Sequence, residues 1–381
     1  MALLKRKTVI GAEIEREYYG VAATVETADT ILVFDVALTL NIETLERNAQ
    51  TDSLGNIAPQ TGARTASLTF STDLYGSGTA GSAPPIDKLL RACGLQPTTE
   101  ESHSVLYQPR DSEFESATIV VWQDGLKHVL TGCRGRCSFM FEMGQRAKVE
   151  YTIEAKDFTY VDEALPIGNY STIVPPVCLN QYFRVAGYAA VIPSLRIDLN
   201  NELQRAPSVN ETCGYARVDI TDRKVDGNFS PEATLVAAQD WYTTWSGGSK
   251  SDIDIRLGQT AGNIVRVTAQ NCIYTGLAFE DRSGILAHSL NFRAAELINV
   301  VSGICDAGTT GTLIVDSSLL TTAQQYRGGR LTITSGTYED KARIITDITG
   351  GGATLESTVG GVPSVGDWFE ISKKEFQILF K

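Results

Sequence analysis

Histidines and cysteines are among the side chains of this sequence that could hold a metal or act as catalytic bases and nucleophiles. There are three histidines, His103, His128 and His288, and none is spaced from another histidine, a cysteine or a carboxylate as a metal site requires. Cys133 and Cys137 are four positions apart, unlike the C-x-x-C pairs of redox and zinc motifs. His288 lies in an alternating apolar segment, which is typical of a core residue. The sequence therefore predicts no metal site.

A glycine-rich segment, residues 75–81 (YGSGTAG), precedes a predicted helix, where nucleotide-binding proteins carry a phosphate-binding loop. It lacks the Lys-Ser/Thr pair of a P-loop, and two prolines at the helix start remove backbone donors. No G-x-S-x-G, Walker A or dinucleotide-binding motif occurs elsewhere. Asp52, Asp111 and Glu113 lack the spacing of a calcium loop. We therefore predict a flexible turn, surface carboxylates, no cofactor and no enzymatic activity.

The composition indicates a folded protein of two or three domains. The chain has 381 residues, of which 43% are hydrophobic and 20% charged. Its net charge of −12 argues against a surface that grips nucleic acid or membrane phosphates. Seven cysteines form no regular framework, which predicts reduced thiols in a protein that folds in the cytosol. The basic N-terminal segment is not followed by the apolar region of a signal peptide.

The first 300 or so residues contain an internal repeat of one β-rich unit. The segment LTLNIETLERNA resembles a later segment, IDLNNELQRAP, so that Leu40 aligns with Leu199 and, after one gap, Arg47 with Arg205. Each segment is followed by a polar stretch, a strand, a helix that begins with proline and a pair of strands. A duplicated unit indicates two pseudo-equivalent places in a larger symmetric assembly.

The predicted fold class is all-β with short helices. Prolines and glycines separate a first copy, 1–165, from a second copy, 166–301, and a Gly- and Thr-rich segment of about five strands, 302–381, follows. One helix is predicted at 84–93, and another begins at Ser230, an N-cap followed by proline. The last seven residues, EFQILFK, are apolar enough to form a strand that packs back on the main body.

Residues 62–95, GARTASLTFSTDLYGSGTAGSAPPIDKLLRACGL, closely resemble the tail tube (major tail) proteins of long-tailed bacteriophages. In that family a strand, a G-x-G-T-A-G-x-x-P turn and an I-x-x-L-L-R-A-C-G-L helix follow one another. The resemblance extends more weakly over about residues 10–300, and the second copy lacks the glycine-rich turn. The matching residues are Gly76, Gly78, Thr79, Ala80, Gly81, Pro84, Leu89, Leu90, Ala92, Cys93, Gly94 and Leu95.

The resemblance implies two tandem β-sandwich or half-barrel domains, each flanked by one helix, with a small accessory β domain at the C-terminus. It implies a structural virion protein, assembled in the host cytoplasm, whose stacked rings form the tube of a long flexible tail. Because each chain carries two copies, we expect trimeric rings with pseudo-sixfold symmetry. The implied partners are the tape-measure protein, tail terminator and distal tail proteins, and double-stranded DNA in passage without specific binding. No membrane contact is implied.

A long polar segment, 43–62, is predicted to be a loop that contacts the next ring. A mobile solvent loop is the alternative that the residues alone favour. The candidate stacking residues are Leu45, Arg47, Asp52, Asn56 and Pro59 in the first copy and Leu203, Arg205 and Asn210 in the second. The candidate lumen-facing acids are Asp73, Glu150, Glu154 and Asp219.

A secreted or surface carbohydrate-binding β-sandwich protein is the alternative function. Exposed tryptophans could then stack on sugar rings, the candidates being Trp122, Trp241, Trp245 and Trp368. The missing signal peptide and the odd number of cysteines argue against this function. A filament in electron micrographs would separate the two hypotheses.

Overall fold

The structure, a computed structural model, describes residues 3–16, 18–52, 54–296, 301–320, 326, 328–339, 341–349 and 351–381. The strands of the first part are Thr8–Ile14 (β1), Thr30–Ile31 (β2), Phe34–Arg47 (β3), Ile57–Asp73 (β4), Leu95–Glu100 (β5), Ser104–Pro109 (β6), Ala117–Gln123 (β7), Leu126–Glu142 (β8), Lys148–Ala155 (β9) and Asp157–Asp162 (β10). Those of the second part are Tyr182–Val185 (β11), Ser194–Pro207 (β12), Tyr215–Phe229 (β13), Ser251–Leu257 (β14), Val265–Arg282 (β15) and Ile285–Arg293 (β16).

The remaining strands are Val301–Ile304 (β17), Leu313–Val315 (β18), Arg330–Ile333 (β19), Ala342–Thr349 (β20), Gly352–Leu355 (β21), Trp368–Ser372 (β22) and Phe376–Phe380 (β23). Two short α-helices, Asp87–Ala92 (α1) and Trp241–Ser246 (α2), and a 3₁₀ turn at Thr27–Asp29 complete the described elements. The predicted all-β class with short helices is confirmed.

The largest structural element of the molecule is an eight-stranded antiparallel sheet. Its strand order is β3-β4-β9-β8-β12-β13-β16-β15. The first four strands belong to the first copy and the last four to the second, and the two sets follow the same order. The ladder between β8 and β12 joins the copies into one continuous sheet.

One face of this sheet is buried and the other is polar, because successive side chains of a strand point to opposite faces. In β9, Val149, Tyr151 and Ile153 are fully or almost fully buried, whereas Glu150 is exposed. The buried face packs on an outer layer that contains α1 and two smaller sheets. The sheet therefore has one polar face that is not covered by this outer layer.

The outer layer forms because β8 and β15 bend out of the large sheet and continue into smaller ones. The first half of β8 pairs with β7 and β10, and β7 pairs with β1. The first half of β15 pairs with β14 and with the last strand, β23, which also pairs with β6. The final strand therefore connects the outer layers of the two copies.

Strands β17 to β22 form a separate six-stranded sheet with its own core, which is centred on Leu331, Ile345 and Phe369. The chain leaves the main body after Glu296 and returns at Lys374, and these two side chains form an ion pair of 2.5 Å. The predicted domain boundaries stay a prediction, but β23 lies in a sheet of the main body, as its apolar sequence indicated.

Helix α1 lies within the predicted segment 84–93, and Gly94 follows it with a φ of +79°. The predicted helix at Ser230 is wrong, because the chain there forms a β-bridge between Glu232 and Ala287. The second helix begins later, where the Asp240 side chain accepts a hydrogen bond of 2.8 Å from the Thr243 amide. The acidic N-cap, and not the Ser-Pro pair, starts this helix.

We expect truncation after Glu296 to unfold the main body, although excision of 297–372 does not. Truncation removes Phe376, Ile378 and Phe380, which are all buried. The loss of each costs about 2–5 kcal/mol, which together rivals a typical stability of about 5–15 kcal/mol. Excision with a short glycine linker keeps β23, since the two ends already lie together. Thermal unfolding of both variants tests this, and equal loss of cooperative unfolding would contradict it.

Candidate assembly surfaces

The large sheet ends in two strand edges that have no described partner. Strand β3 pairs on one side only, with β4. The second half of β15, residues 275–282, pairs on one side only, with β16. An unpaired edge carries free backbone donors and acceptors, which makes it a template for another strand.

Apolar side chains are exposed on both edges. Phe279 of β15 is 65% exposed, and Leu40 and Ile42 of β3 are 38% and 50% exposed. At the internal ladder between β8 and β12, by contrast, Phe139 and Ile197 are fully buried against each other's strands. Sequence reasoning missed Phe279 and Ile42, because alternation identifies a buried face but not which strand of a sheet is its edge.

Both copies extend a long hairpin beyond the core. The predicted loop 43–62 is largely strand, and its turn spans only 48–56. Leu45 and Arg47 lie in β3, Pro59 lies in β4, and Asp52 and Asn56 lie in the turn. The segment is polar because both hairpin faces are in solvent, and a ladder made by the backbone does not require apolar side chains.

The second hairpin, β12–β13, lies across the first copy. Leu203 and Arg205 lie in β12 and Asn210 in the turn that follows. Arg205 forms an ion pair of 3.1 Å with Glu154 of β9. Glu211 forms another, of 3.0 Å, with Lys156. This hairpin is therefore held by the other copy of the same chain.

Arg134 of β8, in the first copy, also contacts the β12–β13 hairpin of the second copy. Its side chain donates hydrogen bonds of 2.7 Å to the Val218 carbonyl and 3.2 Å to the Glu115 carbonyl, and it is 3.3 Å from Asp219. The guanidinium also lies over the Tyr19 ring, 4.8 Å from its centroid. Burial lowers the pKa of Arg134, and the nearby Asp219 carboxylate opposes this shift. The guanidinium remains charged, because the pKa of arginine is far above neutral pH.

The four acidic residues predicted to face the lumen differ in burial and in the charged side chains that they contact. Asp73 is buried within the chain beside Arg146, with 2.6 Å between its carboxylate and the guanidinium, and burial raises the pKa of its carboxyl; its lumen-facing role stays a prediction. Asp219 belongs to the Arg134 contact between the copies. Glu150 and Glu154 do lie on the polar face of the sheet.

The described residues contain no group that could hold a metal ion. All seven cysteines are free thiols, and burial raises the pKa values of Cys133 and Cys272. His288 is buried between the rings of Tyr242 and Phe279, at 5.5 Å from each, and burial lowers its pKa. Its predicted burial in the core is confirmed, but neither ring nitrogen has a hydrogen-bond partner among the described residues.

Two of the four tryptophans proposed to stack on sugars are buried. Trp122 and Trp241 lie in the core, and the Trp122 indole donates a hydrogen bond of 3.0 Å to Glu163. Trp245 and Trp368 are exposed, but they lie in the second copy and the C-terminal sheet respectively. No helix among the described residues is both long and apolar enough to cross a membrane.

The sequence profile of phage tail tube proteins matches residues 6–294. A comparison with curated proteins gives no match. Among solved structures, the chain is similar to one titled "Virion of native gene transfer agent (GTA) particle". That alignment covers 64% of this chain and 80% of the other, at 8% identity and a TM-score of 0.19. A similarity at this level does not define a shared fold.

We expect Arg134→Met to lower the free energy of unfolding by about 3 kcal/mol, because it leaves buried carbonyls of both copies without a donor. Arg136→Met is the matched control, since Arg136 is exposed two residues along the same strand. Its effect should stay within about 0.5 kcal/mol. Urea unfolding of both variants measures the difference, and equal effects would show that Arg134 does not hold the copies together.

Proposed function

The chain belongs to the phage tail tube protein family, and we propose that it assembles into stacked rings whose channel carries DNA towards the host cell. As a member of that family it is a structural protein of the virion. The observation that carries the proposal is the continuous eight-stranded sheet, whose two end strands, β3 and the second half of β15, each have one edge without a described partner. Joining copies edge to edge satisfies both edges and closes the sheet.

The duplicated strand order supports a ring of three chains. Each chain supplies two sets of four strands, so three chains fill six pseudo-equivalent places. The closed sheet would then have about 24 strands, with a backbone diameter of about 45 Å at usual strand spacing and tilt. Barrels of fewer strands already leave an aqueous channel.

The polar face of the large sheet would line this channel, because the opposite face packs on the outer layer. Glu150 and Glu154 lie on the polar face, and the chain has a net charge of −12. Like charge keeps DNA from adhering, so that it passes without specific binding. Arg196 and Arg205 form ion pairs with these two acids, which weakens the repulsion locally.

Further contacts follow from the family. A tube of this kind encloses a tape-measure protein during assembly in the host cytoplasm and is closed by tail terminator and distal tail proteins. None of these roles requires chemistry by the chain. The turn 48–56, with Asp52 and Asn56, is our candidate for contact with the next ring, together with Asn210 of the second hairpin. The six-stranded C-terminal sheet would decorate the outside of the tube.

We expect a ring layer to contain three chains. Each chain fills two of the six places in a ring layer, so three chains close the layer. Six chains would supply twelve sets of four strands, which is twice the number that six places hold. Mass per length from scanning transmission electron microscopy, combined with the axial repeat, counts the chains. Six chains in one layer would contradict the proposed ring.

We expect replacement of 48–56 by a two-residue Asn-Gly turn to leave a folded monomer that forms no long tubes. All the described residues of the turn, 48–52 and 54–56, are exposed, and a shorter connection loses less entropy on folding. Circular dichroism checks the fold and electron microscopy the tubes. The control replaces residues 49–55 by Gly and Ser without changing the length of the turn. It separates the effect of turn length from the effect of the side chains that the turn presents. Tubes of normal length from the shortened variant would disprove a stacking role.

A further inference from the structure

We propose that two copies of this chain join through a seam that repeats, strand for strand, the junction between the two copies within one chain. In this seam β3 of one chain lies antiparallel to the second half of β15 of the next chain. The inference rests on the proposed function and adds to it the strands, the register and the contacting residues. It follows from the internal junction, which serves as the template.

The internal junction has a defined register. In the ladder between β8 and β12, Phe139 lies opposite Ile197 and Ser138 lies opposite Asp198. Phe139 and Ile197 are both fully buried. A seam built on this template therefore needs the equivalents of these four residues in β15 and β3.

The equivalents in the first strand of each copy come from the aligned leucines of the repeat, which place Leu38 on Ile197. Leu38 lies opposite Leu68 in the β3–β4 hairpin, and Ile197 lies opposite Gly227 in the β12–β13 hairpin. Both hairpins carry a register shift a few residues further along, after Ile42 and after Glu202. The two hairpins thus match without the gap that the sequence alignment introduced.

The same correspondence continues into the third strand of each copy. Leu68 lies opposite Ile153 of β9, and Gly227 lies opposite Phe292 of β16. Ile153 and Phe292 are therefore equivalent, and both are buried.

The fourth strand completes the correspondence. Four residues before Ile153 is Val149, which lies opposite Phe139. Four residues before Phe292 is His288, which lies opposite Phe279. Phe279 is therefore the equivalent of Phe139.

The seam that results places Phe279 of one chain opposite Leu38 of the next, and Ala278 opposite Thr39. The 65% exposed ring of Phe279 would be covered by the neighbouring strand, as Phe139 is covered within the chain. Leu277, which is half-buried, falls opposite Leu40, which is exposed. Apolar side chains therefore meet on one face of the seam, as they do at the internal junction.

The register is counted only as far as Ala37, because β3 carries a register shift between Phe34 and Ala37 and Asp35 has a φ of +54°. Glu280 falls opposite Ala37, so that no like charges lie directly opposite each other between Ala37 and Leu40. A slip of one residue would turn the apolar face of β3 to solvent.

An ion pair at the internal junction has a counterpart of reversed sign. Arg205 of β12 pairs with Glu154 of β9 at 3.1 Å. The equivalent positions, counted from Leu38 and Phe292, are Glu46 and Arg293. A negative and a positive charge therefore meet again, now between chains. Because β3 and β15 are different edges, the contact is head-to-tail, the type of contact that forms a ring when the rotation between chains closes.

Disulfide trapping in assembled tubes tests the register. The variant Thr39→Cys/Ala278→Cys places both thiols at exposed positions that the seam sets opposite each other. Directly opposed residues come within disulfide reach, whereas residues displaced by two do not. We expect oxidation to give covalent dimers and trimers on a non-reducing gel. The shifted pair Thr39→Cys/Glu280→Cys should give about tenfold less covalent product.

One control tests whether a disulfide forms in this geometry, and a second pair of variants tests whether the exposed aromatic ring is needed for assembly. Ser138→Cys/Asp198→Cys has the same geometry at the internal junction and should form a disulfide within one chain. Phe279→Asp should leave a folded monomer that does not assemble, because the ring contributes its exposed surface to the seam; the monomer should be less stable than the parent, since the ring also covers His288. Trp368→Asp, an exposed aromatic of the C-terminal sheet, is the matched control and should still assemble.

The outcomes separate the seam from the proposed function. Tubes that trap only the matched cysteine pair support the inference. Tubes that trap the shifted pair, or neither pair, overturn the seam but leave the tail tube function intact. A parent chain that forms no tubes under any condition overturns the proposed function and, with it, the seam.

Discussion

The antiparallel ladder between β8 and β12 is the interaction on which the rest of this structure depends. Two separate four-stranded sheets would expose four edges, whereas the ladder leaves two and makes one surface of both copies. Its register is held by polar groups that only the joined state satisfies. The buried Asn201 amide donates to the Cys93 and Gly135 carbonyls, at 2.7 and 2.8 Å, and Arg134 reaches the carbonyl of Val218. Loss of the ladder would leave these groups unpaired in the core.

The end of the chain performs a second joining step in the outer layer. Strand β23 lies between β6 of the first copy and β15 of the second, with Phe376 packed 5.2 Å from the Phe139 ring and Phe380 5.6 Å from Tyr107. It occupies, beside β15, the place that β10 occupies beside β8. The six-stranded sheet is therefore inserted before the last strand of the second copy. Variation of this sheet leaves the main body intact as long as both ends of the insertion remain together.

Alternation of apolar residues was enough to predict the strands that lie over the core, such as 148–156, and the β class as a whole. It failed where tertiary context decides. The segment 43–62 is polar and yet largely strand, because its hydrogen bonds come from the backbone of a hairpin partner. Ser230 has the sequence of a helix start, but its neighbour Glu232 pairs with β16, and Asp240 caps the helix instead. The candidate surfaces depended on strand order across the repeat, which no local pattern encodes.

Identical topology in the two copies does not require identical burial. Phe139 and Phe279 hold equivalent places, but the chain itself covers only the first, since a single chain has one internal junction and two ends. An exposed phenylalanine forgoes about 2 kcal/mol of burial in the monomer. Each of the two edge strands also holds a charged residue, Glu46 on β3 and Glu280 on β15, which disfavours non-specific strand pairing. The monomer can therefore remain soluble, while a partner strand in the proposed register recovers the buried surface and the backbone hydrogen bonds together.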